Sequence, residues 1–150
     1  MSDLRELYQD IIMDHNKNPQ NFHKLENATK VIDGKNPLCG DHYTIYLIVE
    51  DGIIKDIGFD GSGCAISKAS GSVMTTILKG KTVKEAEELF EKFHNVVTGS
   101  IEFNDAIMDF GKLGAFAGVA EFPSRVKCAS LAWHAMHQGI SNDKSEISTE

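Results

Sequence analysis

Positive charge is scarce in this sequence and nowhere clustered. The 150 residues carry 15 Lys and Arg against 22 Asp and Glu, a formal charge of −7 at pH 7. That balance argues against nonspecific nucleic-acid binding. Long apolar runs are missing too: none approaches a membrane span, and no charged-then-apolar leader pattern stands at the start. The expectation is a soluble, cytoplasmic protein with neither nucleic acid nor membrane as a partner. Cysteine is sparse, and its three copies are an odd number with no Cys-x-x-Cys pair. A reducing compartment keeps them as thiols, so a disulfide framework is not expected and metal binding, catalysis or plain burial remain. Internal repeats and low-complexity segments are absent. With 41% hydrophobic residues, this length suits one domain around a single core.

What is there centres on Asn36-Pro37-Leu38-Cys39-Gly40-Asp41. Pro37 fixes its own φ and biases Asn36 toward extended backbone, which stiffens the approach to Cys39. Gly40 lets the chain turn, so that Cys39 and Asp41 can be aimed at one point. Tyr43 to Glu50 then alternates over an apolar background, Asp51-Gly52 is a type I′ turn pair, and Ile53 to Phe59 alternates again. That is a β-hairpin. Its pleat predicts Tyr43, Ile45, Leu47 and Val49 on one face, with Ile53, Ile57 and Phe59 opposite them. Gly61-Ser62-Gly63-Cys64 ends the second strand and opens a helix carrying Ile66, Ala69, Val73, Met74 and Ile77 up to Gly80. Cys64 thus falls at a helix N-terminus, where the dipole favours a thiolate. Because Cys39 precedes the first strand and Cys64 follows the second, an antiparallel pair returns both to one end of the sheet.

The remaining segments read more plainly. Ser2 to Asp14 predicts an amphipathic helix with apolar Leu4, Leu7, Tyr8, Ile11 and Ile12, stopped by the turn-forming run His15 to Asn21. His15 and His23 near this exit read as surface or capping histidines. A short edge strand is expected over Ala28–Asp33. Thr82-Val83-Lys84-Glu85 is a capping box for a helix with a Val83, Ala86, Leu89, Phe90 and Phe93 stripe. Residues His94 to Ala120 are glycine-punctuated and read as a linker or surface insertion, with a short helix over Asn104–Phe110. Pro123 suits the first turn of a last helix reaching about Gln138, with Cys128, Leu131, Ala132, Ala135 and Met136 along one face. The polar tail 141–150 is expected to be disordered. The fold class is α+β: a small antiparallel sheet of about three strands covered on one side by helices.

Three chemical readings stay open from the residues alone. Cys39, Asp41, Cys64 and Cys128 supply the four donors that tetrahedral zinc takes. Cysteine is also a small hydrophobe that packs in cores, which suits Cys128 on an apolar helix face. A cysteine activated at a helix end can carry sulfur as a nucleophile, but no histidine stands in a cysteine-protease arrangement. Asp41 and Arg125 otherwise read as ordinary solvated charges, although a buried Asp needs a partner.

The three cysteine contexts, Pro37-Leu38-Cys39-Gly40-Asp41, Gly61-Ser62-Gly63-Cys64-Ala65-Ile66-Ser67 and Phe122-Pro123-Ser124-Arg125-Val126-Lys127-Cys128-Ala129, resemble those of the U-type iron–sulfur cluster assembly family. The opening Leu7 to Pro19 resembles that family's first helix and its exit. IscU-type members carry a histidine immediately before the third cysteine, where this chain has Lys127. The chain is also longer between Glu91 and Phe122, and both features resemble the SufU branch. The resemblance implies one U-type domain over 1–140, with 94–121 as the SufU-type insertion. It implies zinc on Cys39, Asp41, Cys64 and Cys128, with a [2Fe–2S] cluster or iron at the same residues as the alternative. It further implies a sulfurtransferase-like role. Persulfide sulfur would come from a SufS-like cysteine desulfurase and pass to a downstream scaffold or apo-acceptor protein, with Cys39 as acceptor. Arg125 would stabilise thiolate charge, and a histidine from the partner would take the metal position that Cys39 vacates. The scaffold alternative is a protein on which the cluster is built and handed on.

Overall fold

A computed structural model describes residues 2–37, 40–100, 111–141 and 146–148, and for 2–8 and 146–148 the backbone alone. In chain order the elements are α1 (Ser2–Lys17), β1 (Lys30–Asn36), β2 (Asp41–Glu50), β3 (Ile53–Ser62), α2 (Ala65–Leu78) and α3 (Val83–Val97). A 3-10 segment (Gly111–Glu121), α4 (Pro123–Ser141) and β4 (Glu146–Ser148) follow. The sheet order is β3-β2-β1-β4. β1, β2 and β3 are antiparallel neighbours, as expected, and β4 adds a short parallel pairing to β1 through Asp33, Gly34 and Lys35. The tail read as disordered therefore contributes three residues of strand.

The hairpin forms because its turn chemistry and its pleat agree. Asp51 and Gly52 both take positive φ, 53° and 73°, as a type I′ turn requires. One facing assignment needs correction. The register pairs Ile48 with Asp56 and Val49 with Ile54, so Lys55 is an extra residue in β3. This bulge flips the parity of everything between it and the turn. Ile54, not Ile53, is fully buried with Ile57 and Phe59, opposite Tyr43, Ile45 and Leu47.

β1 also differs from its expected span, starting two residues later and running through Gly34 to Asn36. Glycine belongs in that strand for a packing reason: a Cβ on Gly34 would stand 3.1 Å from Leu131 Cδ1 of α4. The strand survives there because the helix crosses it closely. Its last pair, Asn36 with Asp41, sets the ends of the connection that contains Cys39.

The helices cover the apolar face of the sheet in the arrangement the sequence predicts. α2 is buried over most of its circumference, from Ser67 and Ala69 to Val73, Met74 and Leu78. α3 starts from the predicted capping box, with Glu85 N–H donating to Thr82 Oγ1 and Thr82 N–H donating to Glu85 Oε1, both at 3.0 Å. Its Phe93 stacks on Trp133 of α4 with ring centroids 4.6 Å apart. α1 extends past the expected stop to Lys17. His15, read as a surface residue, is buried, with Nδ1 2.7 Å from Ser72 Oγ of α2. Burial, and the positive charge of Lys112, hold its pKa below the ordinary imidazole value, so it serves as a neutral α1–α2 tie. His23 remains exposed, its ring beside the Lys24 carbonyl.

The reading of 94–120 as a surface insertion fails for its described parts. Val96, Val97, Leu113, Phe116 and Val119 are buried, and Phe116 meets Phe93 edge-on at 5.7 Å. The short helix expected over Asn104–Phe110 lies outside the described residues. Truncating Phe116 to Ala is expected to destabilise the fold by about 3–5 kcal/mol, as for any large buried aromatic. Urea denaturation followed by Trp133 fluorescence measures this, and a change under about 1 kcal/mol would return the segment to the surface.

Candidate metal centre

The hairpin and the two long helices deliver their ends to one place. Asp41 is the first residue of β2, Cys64 is the residue capping α2, and Cys128 lies in the second turn of α4. The Asp41 carboxylate oxygen and the sulfurs of Cys64 and Cys128 lie within 4.8 Å of one another. Neither cysteine forms a disulfide. Cys39, the fourth residue of the predicted set, lies outside the described residues, between Pro37 and Gly40.

Asp41 is 2% exposed, far from the solvated charge that carboxylates usually are. Its Oδ1 accepts the Cys64 backbone N–H at 2.9 Å, which ties the start of β2 to the start of α2. Its Oδ2 is buried with no hydrogen-bond partner. A buried carboxylate oxygen left bare costs free energy unless a cation or donor meets it.

The sulfurs are dressed differently. Cys64 Sγ is 3.6 Å from Ser67 Oγ, which in turn is 3.4 Å from the Tyr43 hydroxyl. Burial, reinforced by the nearby negative charge of Asp41, Cys64 and Cys128 and partly offset by Ser67, pushes the Tyr43 phenol up to about 12. It is therefore a neutral hydroxyl at physiological pH. Cys128 is fully buried, with Sγ 3.6 Å from the amide Nδ2 of Asn36 and 3.6 Å from the Ser124 carbonyl. Arg125, one turn of α4 before Cys128, is exposed and feels the charge of both sulfurs. The negative sulfurs, Cys64 foremost, raise its pKa further above the guanidinium value.

An open cleft of about 720 Å³ adjoins Cys64, walled by Ile12, Ile66, Val119, Phe122 and Arg125. Phe122 is 58% exposed at its edge. Of the histidines, none joins Asp41, Cys64 and Cys128 among the described residues.

Sequence reasoning overlooked Asn36, Gly63 and Ser67. Ser67 was recoverable as the residue three positions after a helix-capping cysteine. Asn36 reads as extended backbone before Pro37, and only the strand register shows that its side chain is buried. Gly63 is fixed by packing: a Cβ there would collide with Asp41 Oδ1 and approach Ser67 Oγ to 2.7 Å and Tyr43 Cε2 to 2.9 Å.

Comparison with known proteins follows the same outline. The family model described as the NifU-like N terminal domain matches residues 7–149. The zinc-dependent sulfurtransferase SufU of Bacillus subtilis (strain 168) is 40% identical over 143 residues, covering 95% of each chain. The iron–sulfur cluster assembly scaffold protein IscU of Streptococcus pyogenes serotype M1 is 38% identical over 140 residues, 93% of this chain and 86% of that one. A solved SufU from Fervidobacterium islandicum AW-1, described as a cluster assembly scaffold protein for the SUF system, superposes with a TM-score of 0.80. It is 37% identical and matches 91% of this chain and 98% of its own.

Gly63→Ala is expected to cost about 1–3 kcal/mol by overpacking and to displace the Asp41 carboxylate. Thermal melts with and without added zinc check it. A variant whose melting temperature and zinc-induced rise both equal those of the parent would show that Gly63 does not hold the carboxylate in place.

Proposed function

The chain belongs to the NifU-like N-terminal domain family, and we propose that within iron–sulfur cluster assembly it acts as a zinc-dependent sulfur carrier. The observation that carries this reading is the donor set of Asp41, Cys64 and Cys128, together with the bare, buried second carboxylate oxygen of Asp41. Bonds of 2.0–2.3 Å in a tetrahedron hold donors about 3.3–3.8 Å apart. Donors now within 4.8 Å need only a small inward movement, so the residues fit the ion. Cys39, two positions before Asp41 in the chain, completes the set of four. Zinc, when bound, keeps its thiolates deprotonated near neutral pH and carries out no redox chemistry.

The chain's own residues divide the work. Asp41 is anchored by the Cys64 amide, and Cys64 and Cys128 are carried by long helices packed into the core. Cys39 lies in the connection between β1 and β2, next to Gly40, which is exposed and takes a φ of 72°. In this reading it is the thiol that meets the partner. Its thiolate attacks the terminal sulfur of a persulfide on a cysteine desulfurase. A bond forms between Cys39 Sγ and that sulfur as the donor's own S–S bond breaks, and the donor cysteine departs as a thiolate. One sulfur atom changes owner with no net oxidation or reduction. Repetition of the exchange from Cys39 hands it to a downstream scaffold or apo-acceptor. Arg125, at the rim of the site, offsets the negative charge that gathers on the sulfurs.

The similarity to SufU supports zinc and transfer. The similarity to IscU supports a second reading, in which a [2Fe–2S] cluster is cargo built on the same four residues. Lys127 favours the first, because an ammonium beside Cys128 has no lone pair to offer a metal. Neither reading needs a membrane: no described helix is long and apolar enough to cross one.

Cys39→Ser is the direct test. Incubated with desulfurase and L-cysteine, the parent protein is expected to gain sulfur on Cys39, read by intact-mass and peptide spectrometry. The variant is expected to stay folded, to keep zinc on Asp41, Cys64 and Cys128 more weakly, and to gain none. A variant that still accepts sulfur and stimulates the desulfurase fully would move the acceptor elsewhere.

A further inference from the structure

The amide of Asn36 is fully buried at the last position of β1, across the strand pair from Asp41. Its Nδ2 is 3.6 Å from Cys128 Sγ, in hydrogen-bond range for sulfur, and its Oδ1 has no partner among the described residues. Among the described residues, this side chain leaves its carbonyl bare and turns its N–H to the sulfur. We propose that Asn36 is a positioning residue for the metal centre, whose N–H would hold and orient the Cys128 sulfur as a ligand.

The physical reason is the effect of a donor on sulfur. The Ser124 carbonyl beside Cys128 can accept only from a protonated thiol, whereas the Asn36 amide can only donate. The pair therefore favours opposite forms, and Asn36 is the one that serves a ligating thiolate. A hydrogen bond to thiolate sulfur draws off electron density, so it lowers nucleophilicity and fixes the direction of the remaining lone pairs. The Cys64 thiol instead donates to Ser67 Oγ at 3.6 Å, and that hydroxyl donates to the Cys64 carbonyl at 3.0 Å. Of these two sulfurs, the amide-dressed one is also the one that no solvent reaches. The same strand end thus sets two things at once: its backbone pairing with Asp41 locates the carboxylate, and its side chain quiets the third cysteine.

This inference rests on the metal-carrier reading, and cadmium-113 separates the two. In the wild-type protein loaded with that nucleus, thiolate ligation gives a strongly deshielded cadmium resonance. A hydrogen bond to a ligating sulfur gives a scalar coupling between cadmium and the donor proton. We expect that coupling at Asn36 Hδ2. In parallel, Asn36→Leu, nearly isosteric but without a donor, is expected to weaken zinc about 10- to 100-fold in chelator competition. In the cobalt-substituted variant the sulfur-to-metal charge-transfer band is expected to move to lower energy, with Asn36→Ser restoring part of the shift. A thiolate-ligated cadmium with no coupling to Asn36, and a Leu variant with an unmoved band, would overturn the inference and leave the metal centre standing. A wild-type protein that shows no thiolate-ligated cadmium would overturn both. The coupling is read on the parent chain, so it decides the matter even if Asn36→Leu does not fold.

Discussion

The single hydrogen bond from the Cys64 amide to the Asp41 carboxylate is the interaction on which the site depends. It joins the first residue of one strand to the capping residue of the helix that follows the next strand. Everything that makes the donor set possible passes through that junction. The carboxylate is brought into a buried place where it would otherwise be unstable, and the helix N-terminus offers it both an N–H and a favourable dipole. Gly63 is small because the junction leaves no room for a side chain. With the carboxylate held from one side, its second oxygen is left buried and bare.

Around this junction two of the cysteines stand on packed helices. Cys64 starts a helix that is buried on nearly every side, and Cys128 sits in a helix that crosses β1 and β2 closely enough to require Gly34. The remaining cysteine belongs to the short connection between β1 and β2. The β1–β2 pairing fixes both ends of that connection at Asn36 and Asp41. A cavity walled by α1, α2, the 3-10 segment and α4 opens beside Cys64, giving the centre an approach from solvent.

Local chemistry made much of this legible in the sequence. The Asp51-Gly52 turn, the alternation on both sides of it and the Thr82–Glu85 capping box each dictate a local structure that tertiary packing does not override. The antiparallel direction of the hairpin strands is enough to bring Asp41 and Cys64 to one end of the sheet. What stayed hidden needed long-range information. The bulge at Lys55 comes from fitting the turn to the core, and it exchanges Ile53 for Ile54 with no local signature. Phe116 lies in a glycine-rich run that reads as surface, yet it is buried against Phe93. His15 reads as an isolated polar residue until Ser72 of α2 is placed against it. Asn36 reads only as extended backbone before Pro37, and its contact with Cys128 spans 92 positions of the chain. The family resemblance supplied the grouping of Cys128 with Asp41 and Cys64, which spacing alone left open.

The central claim is that zinc, held by the chain's own thiolates and one carboxylate, is the resident metal. X-ray absorption at the metal edges of the protein as purified tests it most directly. The account predicts a zinc edge at one ion per chain, with a shell of three sulfurs from Cys39, Cys64 and Cys128 and one oxygen from Asp41, and no iron. An iron edge with bridging sulfide and a short iron–iron distance would contradict it, and would make the chain a cluster scaffold in spite of Lys127.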